Sequence, residues 1–133
     1  MRVVPAPGNV FDVDCSARHA LELISSKWAM LILTALAEQP MRNGDLMRKI
    51  GGISQKVLTD TLRDLARNGL VIREDHRTMP LHVEYRLSTL GRSLSEALVV
   101  LDRWAEQNFP ELDAARERYD RMSRSDSPDA PPR

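Results

Sequence analysis

Gln55, Lys56, Thr59 and Arg63 recur at steps of about one helical turn, so a helix would line up an amide, an ammonium, a hydroxyl and a guanidinium on one side. Gln and Arg side chains can pair bidentately with adenine and guanine edges, and Lys suits phosphate. Ser54 stands where a helix would begin, and that end of a helix also favours anions. Arg42, Arg48 and Lys49 lie just upstream and could hold backbone phosphates. His76 and Arg77 fall between two short segments of alternating polarity, where an arginine could enter a minor groove. Cys15 opens another helical stretch, where the positive end of the helix dipole favours thiolate. Arg18 and His19 could share its face, while Asp12 and Asp14 oppose ionisation.

These residues need a frame, and the apolar spacing supplies one. Leu21, Ile24, Trp28, Leu31, Ile32 and Ala35 predict helix over 16–38 on one face, as one helix or as two broken near Ser25–Ser26, with Pro40 ending the segment. Asn43 is expected to cap a short helix, 44–50, with Leu46, Met47 and Ile50 on its apolar side. A sharp turn follows at Gly51–Gly52. Ser54 then caps a second helix, with Ile53 and Leu58 placed as a hydrophobic staple. Leu58, Leu62 and Leu65 form its buried stripe, flanked by Val57 and Thr61, and Asn68–Gly69 closes it. The polar set at 55–63 is therefore left on the open side.

From Leu70 the period changes to two. Residues 70–75 and 83–87 predict a two-stranded hairpin with a charged loop, HRTMPL, between them. Ser88 or Thr89 starts a final helix with Leu94, Ala97, Leu98, Leu101, Trp104 and Ala105 in its stripe, and Val99 and Val100 broaden it beyond one face. A helix that wide must bury two sides, and a second subunit is the expected cover. Leu21, Leu94, Leu98, Leu101 and Trp104 are the candidate interface residues. Pro110 is expected to break this helix, and Leu112, Ala115, Tyr119 and Met122 to build one more. The organisation is thus a loose arm at 1–13, a domain at 14–122 and a disordered tail at 123–133.

Composition narrows the function classes. The chain has 133 residues and is 42% hydrophobic, enough for one domain with a real core. Its nineteen basic and nineteen acidic residues cancel, which argues against a polybasic coat protein. The balance is local: residues 42–92 hold ten basic and six acidic side chains, and both flanking stretches are net acidic. Arginine outnumbers lysine sixteen to three; a GC-rich genome would give that ratio, so the position of the excess carries the argument. One cysteine excludes a disulfide framework and fits a reducing cytosol. No apolar run approaches a membrane span, so a soluble, cytoplasmic protein is expected. Neither Cys15 with His19 nor His76 with His82 makes a metal site on spacing alone, and no metal or cofactor is expected. No nucleophile elbow, phosphate-binding glycine loop, zinc-protease helix or dinucleotide fingerprint occurs, so catalysis is not expected.

Helix, short helix, glycine turn, capped helix, hairpin and long helix is the order of a winged helix-turn-helix, a mainly α (α+β) fold with a two-stranded wing and dimerising terminal helices. The segments CSARHALELISSKWAMLIL (15–33), RNGDLMRKIGGISQKVLTDTLRDLARNGLVIRE (42–74) and P…VEYRLSTLGRSL (80–94) resemble the HxlR-type winged helix-turn-helix regulators, themselves distantly similar to the MarR regulators. The resemblance implies a homodimeric, sequence-specific transcription factor on a near-palindromic operator, often a repressor. It maps the reading helix to 54–67 and the wing to 73–86. Several members of that family sense oxidants or electrophiles through a cysteine at the place of Cys15, so an oxidant or small-molecule effector is implied; an inert Cys15 is the alternative. A winged helix that binds only a protein partner is the other functional class the pattern allows.

Overall fold

Serines set the boundaries of the first two helices. The computed structural model describes residues 6–77, 79–80 and 82–126. Helix α1 (Ser16–Ile24) gives way to α2 (Lys27–Glu38) at Ser25–Ser26, and the Ser26 hydroxyl accepts the Ala29 N–H at 3.1 Å. The two helices bend by 76° across this break. The bend separates Leu21 of α1 from the α2 stripe, so the single stripe expected over 16–38 divides. Within α2, Leu31 falls outside the buried side that holds Ile32 and Ala35. Ile32 and Ala35 are buried with Ala29, Leu33 and Leu36, whereas Leu21 and Leu31 face solvent.

Helix α3 (Asn43–Lys49) starts one residue earlier than expected. Arg42 holds the cap position, and its backbone N–H donates to the Asp45 carboxylate at 3.1 Å. Helix α4 (Gln55–Arg67) is capped by Ser54, whose hydroxyl accepts the Val57 N–H at 3.1 Å. Ile53 and Leu58 are both buried, as a staple requires. At the other end the Leu70 N–H reaches the Leu65 carbonyl at 3.0 Å and the Gly69 N–H reaches that of Ala66 at 3.1 Å, the two bonds of a Schellman closure. Gly69 takes a φ of 76°, which a side chain would resist.

Strands β1 (Val71–Asp75) and β2 (Val83–Leu87) pair antiparallel, with Val71 opposite Leu87 and Asp75 opposite Val83. Met41 adds a bridge to Tyr85 through two backbone bonds of 2.9 and 2.8 Å, tying the start of α3 to the hairpin. Ser88 then joins two elements: its hydroxyl accepts the Gly91 N–H at 3.0 Å at the start of α5 (Thr89–Asp126), and its N–H donates to the Leu70 carbonyl at 3.0 Å.

The chain divides into two units, Met1–Leu98 and Val99–Arg133. The core of the first joins Ile32, Leu33 and Leu36 of α2, Leu46 of α3, and Leu58, Leu62 and Leu65 of α4, all fully buried. Truncating any of these to Ala costs about 2–5 kcal/mol in such a setting. Residues 9–13, expected as part of a loose arm, take part in hydrogen-bonded turns, with the Asp12 N–H on the Asn9 carbonyl and the Cys15 N–H on that of Asp12.

The second unit corrects one expectation. Pro110 lies inside α5 rather than ending it. Proline removes one intrahelical N–H donor, here the partner of the Glu106 carbonyl. The residues after it, ELDAARERYDRM, are dominated by strong helix formers and carry an Arg116–Asp113 ion pair of 2.7 Å, so propagation continues past the defect. Leu112, Ala115, Tyr119 and Met122 therefore extend α5 instead of building a separate helix. The helix runs to Asp126, beyond Ser123 where the sequence predicts a tail; residues 127–133, like 1–5 of the arm, lie outside the described residues.

Candidate nucleic-acid interface

Burial of Leu58, Leu62 and Leu65 turns the opposite side of α4 outward. Gln55, Lys56, Thr59 and Arg63 are all exposed there, as the spacing predicts. They are not idle. The Gln55 amide donates to the Thr59 hydroxyl at 3.0 Å, and Lys56 Nζ lies 2.9 Å from Asp60 Oδ2. Arg63 approaches the other Asp60 oxygen at 3.4 Å. The hydrogen bond from Lys56, followed by its charge, holds the Asp60 carboxyl below the usual carboxylate range. Asp60 therefore neutralises part of the face on which a polyanion would rest. Exposed pairs of this kind are worth little, so phosphate could displace the carboxylate at small cost.

The short helix shows the same self-pairing. Arg48 is 2.6 Å from Asp45, and Lys49 is 2.6 Å from Glu38. The Arg42 backbone N–H is the first cause, and Arg48 the second, of the lowered Asp45 pKa.

Arg42 does not extend from α3 as a free phosphate contact. Its guanidinium turns to the wing, where Nε donates to His82 Nε2 at 3.1 Å. His76 is likewise engaged. Its N–H bonds to the His82 carbonyl at 2.9 Å, prolonging the ladder, and the two imidazoles meet edge to face with centroids 4.7 Å apart. The register puts Glu74 directly opposite Glu84 on the same face, a like-charge pair. Arg86 forms an ion pair with Glu74 and is the main cause of its lowered pKa. Arg77 stays at the exposed tip beside the exposed His76, with a left-handed φ of 47° and its N–H on the Asp75 carboxylate at 3.0 Å.

Glu84, Glu74 and Arg86 are thus functional candidates that the residue spacing left out, and His82, weighed only as a lone pair with His76, gains partners. The signal was present: alternation at 82–86 and at 72–76 assigns each set to one face. What was missing was the register that brings the two sets together.

Cys15 sits at the cap position of α1, half-buried. Its Sγ accepts the Asn9 N–H at 3.3 Å, and the N–H groups of Asn9, Ala17 and Arg18 lower the thiol pKa, that of Asn9 most. The expected help from neighbouring side chains is not realised: His19 bonds to the Val13 carbonyl at 3.3 Å, and Arg18 pairs with Glu22 at 3.8 Å. Of the candidate interface residues, Leu98 is buried in its own unit's core and Leu94 packs on that core. Leu21, Leu101 and Trp104 are about half exposed.

A helix pair with a tight turn, an outward second helix and a hairpin behind it define a winged helix-turn-helix protein. The family model for HxlR-like helix-turn-helix proteins matches residues 23–113, and the chain belongs to that family. It is 43% identical over 110 residues to YtfH of Escherichia coli (strain K12), an uncharacterized HTH-type transcriptional regulator, covering 83% of this chain and 87% of that one. The solved structure of ytfH from Salmonella typhimurium, assigned as a transcriptional regulator, superposes with a TM-score of 0.78 at 40% identity, over 84% of this chain and 99% of the other. The redox regulator HypR in its oxidized form superposes with a TM-score of 0.66 at 31% identity, over 71% of this chain and 97% of the other.

Proposed function

We propose that the chain is a sequence-specific DNA-binding regulator of transcription that engages a near-palindromic operator as a homodimer and acts as a repressor. The observation that carries this reading is the outer face of α4. It is anchored from behind by three buried leucines, capped at Ser54, and offers Gln55, Lys56, Thr59 and Arg63 to solvent. A helix so presented fits the major groove, with its first turn near the bases and its N-terminus near phosphate. Arg77 at the wing tip is suited to an adjacent minor groove. Arg42 and His76 serve the same duplex only by leaving their wing partners.

Two copies are needed to read two half-sites, about one helical turn apart. The exposed Leu21 on α1, and Leu101 and Trp104 on α5, are the apolar residues we assign to contact with the second copy. Such side chains on a monomer would be a liability in water. The relatives named as transcriptional regulators support the DNA reading over a module that binds only protein. The likeness to a redox regulator and the lowered thiol pKa of Cys15 support an oxidant or electrophile as effector.

The test is a titration of the purified chain against duplexes from upstream of its own and neighbouring genes, repeated over a salt series with and without oxidant. Affinity for one duplex should fall steeply with salt, through counterion release, while unrelated duplexes bind far more weakly. Indifference to every duplex at low ionic strength would leave the protein-binding module as the better reading.

A further inference from the structure

The wing carries a second constellation, of which the DNA reading uses only His76. His76 and His82 lie side by side just beyond the ends of the two strands, and Glu84 lies next along the same face. One ligand atom from each of the three lies within 4.8 Å of the others. His82 Nε2 is 3.5 Å from one Glu84 oxygen, and His76 Nε2 is 3.7 Å from the other. Around a tetrahedral zinc ion with bonds of 2.0–2.1 Å, neighbouring donor atoms stand about 3.3 Å apart. The two observed separations, each to a different Glu84 oxygen, are close to that edge length. The edge between the histidines lies within 4.8 Å, and rotation of the solvent-accessible side chains would close the set around one ion.

We propose that His76, His82 and Glu84 bind one divalent transition-metal ion of the zinc type. Two imidazoles and a carboxylate are the donor set such an ion takes; magnesium and calcium prefer oxygen alone. Three protein ligands leave the fourth position to water. The surroundings favour a cation. Glu74 stands opposite Glu84, with its carboxylate 3.9 Å from His76 Nε2, and adds negative charge, partly offset by Arg86. All three ligands keep access to solvent, so the ion has an entry path.

Arg42 is the competitor. Its guanidinium bonds the same Nε2 of His82 that the ion would take. Metal binding therefore breaks the Arg42 contact with Nε2, leaving its terminal nitrogen only the neighbouring Nδ1 of the same ring. The assignment of the metal ligands rests on the wing geometry alone, independent of the DNA reading.

The test is calorimetric titration of zinc chloride into the full chain after removal of metal by chelation, with circular dichroism confirming that each variant is folded. One zinc per chain is expected, unaffected by excess magnesium. His76→Ala, His82→Ala and Glu84→Gln should each weaken binding by about tenfold or more, since even outer partners of a metal cost that much when removed. Arg42→Ala should tighten it, by removing the competitor, an effect that a merely structural role for the histidines would not produce. Cys15→Ser should leave it unchanged. Absence of binding to the parent, unchanged affinity in the folded double variant His76→Ala/His82→Ala, or loss of binding in Cys15→Ser alone would each overturn the site.

Discussion

The Lys56 ammonium lies 2.9 Å from the Asp60 carboxylate, one turn further along the exposed side of α4. The pair stands on the surface assigned to DNA, so its acid weakens what its base contributes. Replacing Asp60 with Asn keeps the size of the side chain and removes the charge. Operator affinity should rise several-fold, and the slope of log affinity against log salt should steepen by about one, because one more cation is free to displace counterions. Equal or weaker binding by Asp60→Asn, measured by fluorescence anisotropy, would show that this face does not meet phosphate.

Arg63 shares the same carboxylate at 3.4 Å and is well exposed. Its planar guanidinium suits a guanine edge rather than phosphate alone. Arg63→Ala should cost about 1–3 kcal/mol on the preferred operator and flatten discrimination at one base pair in each half-site. A panel of single-base operator variants distinguishes this from the uniform loss of a phosphate contact.

Gly91 tests how the wing is held against the last helix. A methyl group added there would stand 2.0 Å from the Leu70 carbonyl oxygen, a backbone atom with no rotamer to retreat into. The same carbonyl accepts the Ser88 N–H at 3.0 Å, so moving it disturbs the start of α5 as well. Gly91→Ala should therefore lower stability by at least about 1–3 kcal/mol, the range for overpacked sites, in chemical denaturation. Ser88→Ala should lower it by about 1 kcal/mol through loss of the cap.

Local chemistry was legible in the sequence wherever its partners lie within a turn or two. Ser54 with Val57, Ile53 with Leu58 and the Asn68–Gly69 closure follow from spacing alone, and so does the outward placement of Gln55 and Arg63. The bend at Ser25–Ser26 was visible as a break, but its 76° angle, which sends Leu21 and Ile32 to different environments, depends on what α2 packs against. Pro110 misled because its local cost was weighed without the strong helix formers beyond it. The Arg42–His82 bond joins residues forty positions apart, and the Met41–Tyr85 bridge is as distant. Such pairings arise from tertiary register, which no periodicity encodes; for that reason the spacing offers His76 with His82 but not Glu84 as their third member.

Leu101 and Trp104 are about half exposed on α5, within the unit that begins at Val99. Neither contributes to the buried core of the first unit, so charge placed there should leave that unit folded. Leu101→Arg and Trp104→Arg should shift the chain from dimer to monomer in sedimentation velocity while preserving its helical dichroism. Operator binding should fall with dimerisation, because in the proposed complex each monomer would read one half-site. A dimer unchanged by both substitutions would place the second copy elsewhere.

Cys15 offers the last test, on pH. Its Sγ accepts the Asn9 N–H, and that bond is the largest cause of a thiol pKa below the ordinary value. Hydrogen bonds of this kind favour the thiolate, and the thiolate is the reactive form. The sign follows: the native thiol ionises at lower pH than in the unfolded chain, so the native state gains stability as pH rises through the lowered pKa. That gain is fully present above the ordinary thiol range and lost as pH falls. Alkylation by iodoacetamide should accordingly reach its plateau at lower pH in the folded protein than in denaturant. If the folded and unfolded profiles coincide near the free-cysteine value of about 8.5, the Asn9 contact does not activate Cys15, and an oxidant-responsive role for it fails with that result.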